Sequence, residues 1–156
     1  MSNLTVRDFK DQDAISFLGM GEYLQKGGNY KHCGFDPVRV MALFAQIMKN
    51  PEYFGVIAES EDGKPVGCFV ANLQPYYFSD KKIAFDLCFG ILPDYRDSAA
   101  ATIATMLEKY EAWAKEMGAV EATVSTSAGM HGDKLEGYLN GVGYNTVGFT
   151  TKKRIG

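Results

Sequence analysis

The stretch best equipped for chemistry is Leu92-Pro93-Asp94-Tyr95-Arg96-Asp97-Ser98-Ala99-Ala100-Ala101. It joins a long apolar run to the strongest helical pattern in the chain. A strand, a tight turn and a helix N-terminus together make an anion site. The first-turn N–H groups lack intrahelical acceptors, and the helix dipole puts partial positive charge there. Arg96 adds a full charge, and three consecutive alanines let a ligand approach the backbone. The same pattern also serves as a plain structural turn. A second candidate is Asp86, an acid inside the preceding apolar run. Burying a carboxylate alone is costly, so Asp86 is ion-paired, bonded to backbone, or kept for proton transfer.

Other chemistries find little support. Cys33, Cys68 and Cys88 are odd in number and widely spaced, so they read as reduced core thiols and not as a disulfide framework. No Cys-x-x-Cys or His-rich spacing points to a metal, and none is expected. Two histidines leave few partners for a Ser-His-Asp or Cys-His site. The net charge of -3 argues against bulk binding to nucleic acid, which needs clustered Lys and Arg. Met1 to Phe9 lacks the apolar core of a signal peptide, and no apolar run approaches a membrane span. A cytoplasmic protein with no membrane partner fits these features.

The elements that must position the two candidates follow from periodicity. Leu4 to Phe9 reads as a first strand. Asp13 is placed to cap a helix with apolar positions Ile15, Phe17, Leu18 and Leu24, broken at Gly27-Gly28-Asn29. Asp36-Pro37 starts a second helix with Val40, Leu43, Phe44, Ile47 and Met48 on one face, ended by Asn50-Pro51. Phe54 to Glu59 and Val66 to Leu73 read as a hairpin around Asp62-Gly63. Ile83 to Leu92 is the longest strand, with Ile83, Phe85, Leu87, Phe89 and Ile91 expected on one face and Ala84, Asp86, Cys88 and Gly90 on the other. Ser98 to Met117 is the clearest helix, striped by Ile103, Met106, Leu107, Tyr110, Trp113, Ala114 and Met117 and stopped at Gly118. Glu121 to Thr126 predicts a strand, Asp133 to Asn140 a short helix, and Tyr144 to Lys152 one or two closing strands. This order implies an α/β chain (an α+β mixed sheet), with helices on both faces and residues 1–156 forming one domain.

The turn at Arg96 resembles the acetyl-CoA motif of the GNAT superfamily, Arg/Gln-x-x-Gly-x-Gly/Ala, which here reads Arg96-Asp97-Ser98-Ala99-Ala100-Ala101. The Arg and the final Ala match. Ala99 replaces the first Gly, and Asp97 stands where a Gly commonly follows the Arg. The likeness runs along nearly the whole chain. Thr5-Val6-Arg7 with Asp13 resembles the opening strand and helix start, Trp113 to Ala119 the end of the motif helix, and Gly143-Tyr144 the end of the last helix. The Asp36-Pro37 helix start, the Phe78-Ser79 loop and the final Phe-x-x-Lys segment resemble phage-encoded members in particular.

The resemblance implies a GNAT-like acyl-CoA N-acyltransferase fold with acetyl-CoA as cosubstrate and a small-molecule or protein amine as acceptor. Backbone groups of Phe89, Gly90 and Ile91 would pair with the pantetheine arm, admitted by a splay from the next strand. Arg96, Asp97, Ser98, Ala99, Ala100 and Ala101 would hold the pyrophosphate, although the Asp97 carboxylate repels it unless turned away. Amine attack on the thioester requires a base, a polarised carbonyl and a proton for the leaving thiolate. The family places an acidic base on the central strand, which here is Asp86. Its usual tyrosine acid falls on Leu139, so Tyr138 next to it is the candidate. The Asn that often precedes that helix falls on Gly132. His131, Ser125 and Ser127 are further candidates for relaying a proton or binding water.

Tyr23, Tyr30, His32, Phe35, Tyr76, Tyr77 and Phe78 suit either a partly polar acceptor pocket or a homodimer interface. Lys152-Lys153-Arg154 reads as a solvated tail. Three functions remain open on sequence: an active N-acetyltransferase, a GNAT-shaped binding or virion-associated protein that has lost catalysis, and a DNA-base-modifying relative.

Overall fold

The computed structural model describes residues 3–125 and 132–156. Five strands form one sheet in the order β1 (Thr5–Asp8), β2 (Tyr53–Glu59), β3 (Pro65–Pro75), β4 (Lys82–Ile91), β5 (Ala119–Ala122). The first four are antiparallel, and β4 and β5 run parallel. Helices α1 (Ala14–Gly27) and α2 (Pro37–Lys49) cover one face. There Phe17, Met20 and Phe44 meet Phe9, Ile57, Cys68 and Val70. Helix α3 (Ala100–Glu116) and α4 (Gly132–Gly141) cover the other, where Met106, Leu107, Tyr110, Ala114 and Leu139 pack on Phe54, Val56, Phe69 and Leu73. A sheet with apolar side chains on both faces buries them only by taking a helix layer on each. Among the described residues no helix is long and apolar enough to cross a membrane.

The helix starts show local chemistry at work. Asp36 caps α2 as expected, its carboxylate accepting from the N–H of Val38 at 2.9 Å and of Arg39 at 3.4 Å. Asp13 does not cap α1. Its carboxylate turns back to accept from the Lys10 N–H at 2.7 Å and from both terminal nitrogens of Arg7, at 2.7 and 2.9 Å. The stronger charge-assisted fork outcompetes the cap. Gly118 ends α3 with a φ of 76°, a left-handed conformation in which glycine has no Cβ penalty.

Three further expectations need correction. Strand β4 does not keep one apolar face, because Val70 pairs with Cys88 while its neighbour Ala71 pairs with Asp86, leaving Leu87 as an extra residue. This bulge inverts the alternation. Ala84 and Phe89 both face the α3 side, Cys88 faces α1 and α2, and Phe85 and Leu87 are exposed. Strand β5 is shorter than expected and stops at Ala122. Finally, the segment from Tyr144 to Lys152 is no strand. It is held through side chains: Tyr144 Oη donates to Glu111 Oε1 at 2.9 Å, Thr146 Oγ1 to Glu136 Oε1 at 2.6 Å, and Lys152 Nζ to the Asn29 carbonyl at 3.0 Å. A cleft of about 740 Å³ separates it from β5, so the two backbones do not meet. Val147 and Phe149, whose alternation predicted a strand, are both 94% exposed.

Candidate active site

The site grows from the unequal lengths of β4 and β5. Strand β4 pairs with β3 along its whole length, from Pro75 opposite Lys82 to Gly67 opposite Ile91. On its other edge it pairs with β5 only from Lys82 to Ala84. One more backbone bond follows, from the Thr123 N–H to the Ala84 carbonyl at 2.9 Å. Beyond it the strands part. The Leu92 N–H donates to the Val66 carbonyl at 2.8 Å. Backbone direction alternates along a strand, so Ile91 and Phe89 turn their N–H and C=O groups towards the splay. Strand β3 and helix α1 both pack closely on this end of β4. A Cβ on Gly67 would lie 2.8 Å from the Gly90 carbonyl oxygen, and one on Gly90 would strike Leu24 of α1 at 2.9 Å.

Asp86 stands where the strands separate. It is 9% exposed, and it holds the departing β5 chain by its side chain in place of the lost ladder. One carboxylate oxygen accepts from the Ser125 N–H at 2.9 Å, the other from Thr123 Oγ1 at 3.3 Å. No cation pairs with it among the described residues. Burial pushes its pKa above the ordinary carboxyl value of 3.8, against the lowering effect of these hydrogen bonds. The Tyr110 hydroxyl lies close by, donating to the Thr123 carbonyl at 2.9 Å. Burial and the negative field of Asp86 both push that phenol up. Tyr144 is raised as well, by burial first and then by its bond to Glu111. The 740 Å³ cleft opens beside these groups and is lined by Glu111, Thr123, Ser125, Leu139 and Tyr144 among others.

At its far end β4 runs into a short 3-10 turn, Pro93–Ser98, and then into α3. No side chain caps α3, so its first-turn N–H groups remain available to an anion. Ala99 is buried, while Ala100 and Ala101 are exposed and present no bulk. Asp97 is exposed on the turn and does not cap the helix. Arg96 turns inward, its Nε donating to the Ile91 carbonyl at 2.7 Å. A strand edge with no strand partner among the described residues, leading into an uncapped helix start with small residues between, fits the amides and diphosphate of an acyl-CoA.

The structure brings Asp86, Ser125 and the Phe89–Ile91 edge together at one splay. Tyr138 is half-buried and packs into the cluster under α3, not along the cleft. His131 and Ser127 lie outside the described residues. Of the aromatics, Tyr76 stacks on Phe78 and its hydroxyl donates to Glu121 Oε1 at 2.9 Å, whereas the Tyr30 ring receives Lys152 Nζ 4.0 Å from its centroid. The basic tail is thus anchored at its first lysine. Sequence reasoning missed Tyr110, Thr123, Glu111 and Tyr144. Tyr110 sits in the apolar stripe of α3 and reads as core, and nothing in its spacing shows that its hydroxyl reaches past the core to Thr123.

This sheet, split after its fourth strand and entered by an uncapped helix, defines an acyl-CoA-binding architecture. The family model described as the acetyltransferase (GNAT) family matches residues 20–132. The chain belongs to this family and is an acetyltransferase of the GNAT type. Solved structures share the fold. An acetyltransferase of Trypanosoma brucei superposes with a TM-score of 0.71 at 14% identity, covering 98% of this chain and 100% of that one. A glucosamine-6-phosphate N-acetyltransferase of Arabidopsis thaliana gives 0.69 at 13%, covering 99% of each chain. The enzyme AAC(6')-Iy, in complex with the bisubstrate analogue CoA-S-monomethyl-acetylneamine, gives 0.71 at 17%, covering 98% of each. No curated protein matches the chain by sequence.

Proposed function

We propose that this chain moves the acetyl group of acetyl-CoA to a primary amine, small-molecule or protein, by direct attack in a ternary complex. The observation that carries the reading is the half-paired strand β4, whose free edge runs directly into the uncapped start of α3. When bound, acetyl-CoA supplies an activated acetyl thioester. The N–H and C=O of Phe89 and the N–H of Ile91 would pair with the amides of the pantetheine arm, as an added strand would use them, while the Ile91 carbonyl is held by Arg96. The uncapped N–H groups at the start of α3 would hold the diphosphate. Asp86 accepts the proton that the attacking ammonium must lose. A carboxylate raised by burial is a better base than an exposed one, since its pKa moves towards the working pH. The activity belongs in a cytoplasm, a host's if the chain is phage-encoded, where the free thiols of Cys33, Cys68 and Cys88 would stay reduced.

Calorimetric titration of the purified protein with acetyl-CoA tests the reading. Saturable binding, followed by release of free thiol with some member of an amine panel, is expected. A folded protein that does not bind acetyl-CoA sinks it. One observation favours the reading without catalysis: the exposed Asp97 carboxylate on the phosphate turn. A folded protein that neither binds acetyl-CoA nor turns over any amine of the panel would select that alternative.

A further inference from the structure

We infer that Arg96 is a positioning residue for the pantetheine-binding edge of β4, and not a ligand of the diphosphate. The inference rests on the reading that the chain binds acetyl-CoA. A lone arginine on a phosphate turn is expected to reach outward. Here the Nε of Arg96 donates to the Ile91 carbonyl at 2.7 Å, back across the turn. That carbonyl belongs to the splayed edge, because the next residue, Leu92, gives its N–H to Val66 on the opposite side. It therefore has no strand partner among the described residues. A half-buried backbone carbonyl without a partner is costly, and a guanidinium donor satisfies it with a charge-assisted bond.

The turn is built to make this reach. Pro93–Ser98 winds as a 3-10 segment, with the Tyr95 N–H donating to the Leu92 carbonyl at 3.0 Å and the Ala99 N–H to the Arg96 carbonyl at 3.1 Å. Arg96 is thereby tied at both ends, by its carbonyl to the first residue before α3 and by its side chain to the last residue of β4. It sets the angle between the edge that takes the pantetheine amides and the helix start that takes the diphosphate. Ile91 cannot adjust alone, since its side chain is 5% exposed and its Cγ1 lies 2.9 Å from where a Cβ on Gly67 would be.

Two ligands and two variants separate the roles. Pantetheine carries the amides without the diphosphate or nucleotide. Arg96→Met keeps the length and loses the donor, while Arg96→Gln keeps an N–H and loses the charge. Each is titrated with CoA and with pantetheine, after its unfolding midpoint has been shown to match the wild type. Arg96→Met is expected to weaken both ligands by the same factor, about tenfold. Arg96→Gln should recover both to within about threefold, and the salt dependence of CoA binding should not change in either variant. Loss confined to CoA, equal loss in Met and Gln, or a shallower salt dependence would each overturn the inference and make Arg96 a phosphate ligand. If pantetheine binds below detection, the Gln recovery and the salt dependence, both read on CoA, decide alone. A folded wild type that binds no CoA would overturn the proposed function itself, and this inference with it. Should the Met variant fail to fold, the Gln variant against wild type still gives the salt and recovery outcomes.

Discussion

Asp13 and Asp86 are both buried carboxylates, 1% and 9% exposed, and the two regions that hold them treat them in opposite ways. At the β1 corner Arg7 forks onto Asp13 and also reaches Glu59 Oε2 at 2.5 Å. Burial by itself would raise Asp13, but the hydrogen bonds and charge of Arg7 outweigh it and hold the group below 3.8. Asp86 receives only an amide and a hydroxyl, so burial prevails and its pKa rises. A carboxylate with a built-in cation serves the frame, because its proton is out of reach. One buried with neutral donors is available for proton transfer. On the proposed mechanism Asp13 is thus the structural acid and Asp86 the chemical one.

The largest effect expected from breaking the contrast is at the frame. Arg7→Leu strands Asp13 without its partner and should cost about 3–5 kcal/mol of stability, read as the urea midpoint near neutral pH. The double variant Arg7→Leu/Asp13→Leu should recover most of it. Failure to recover would mean that Arg7 acts mainly through Glu59.

At the site the expected effect is kinetic. Asp86→Asn should lower kcat about 100-fold, while acetyl-CoA affinity stays within about twofold. The acid limb of the wild-type rate profile, which follows deprotonation of Asp86 above 3.8, should vanish in the variant. Retention of that limb would remove Asp86 as the base.

The same pair makes a signed prediction for stability. The raised pKa of Asp86 means its ionised form penalises the native state. That penalty is relieved as pH falls through the folded pKa and is gone below 3.8. Asp13 does the reverse: its contribution is present above 3.8 and is lost as pH falls through its lowered folded pKa. The stability of Asp86→Asn relative to wild type should therefore improve as pH rises from 3.8 through the raised folded pKa of Asp86. A flat difference in urea midpoints would contradict the burial that separates the two acids.

Smaller effects sharpen the boundary of the site. Tyr110→Phe removes the bond to the Thr123 carbonyl and should cost about 1 kcal/mol by thermal or urea unfolding. Tyr138→Phe should change kcat by less than about twofold, because this ring packs under α3. A drop of about tenfold or more would instead give Tyr138 the proton-donor role.

Much of the fold is legible along the chain, and the reasons are local. Asp36-Pro37 starts α2 and Gly118 stops α3 because caps and left-handed glycines act within a few residues. The stripe of Met106, Leu107, Tyr110 and Ala114 reads correctly because helical periodicity is a property of neighbours three and four apart. The turn at Arg96 is visible for the same reason. What misleads is equally specific. Val147 and Phe149 alternate like a strand, yet a strand also needs an edge to join, and alternation carries no information about distance to β5.

By itself, then, the sequence determined the order of elements, the two-sided sheet, the strand-to-helix turn and the presence of an acid on the central strand. Each depends on side-chain type and short spacing. Only the tertiary structure decided the bulge at Leu87, the parting of β4 from β5 after Ala84, the inward reach of Arg96 and the placing of Tyr110 and Thr123 around Asp86. These depend on register between strands distant in sequence and on which partner wins a donor, and such competition is settled only when the layers close.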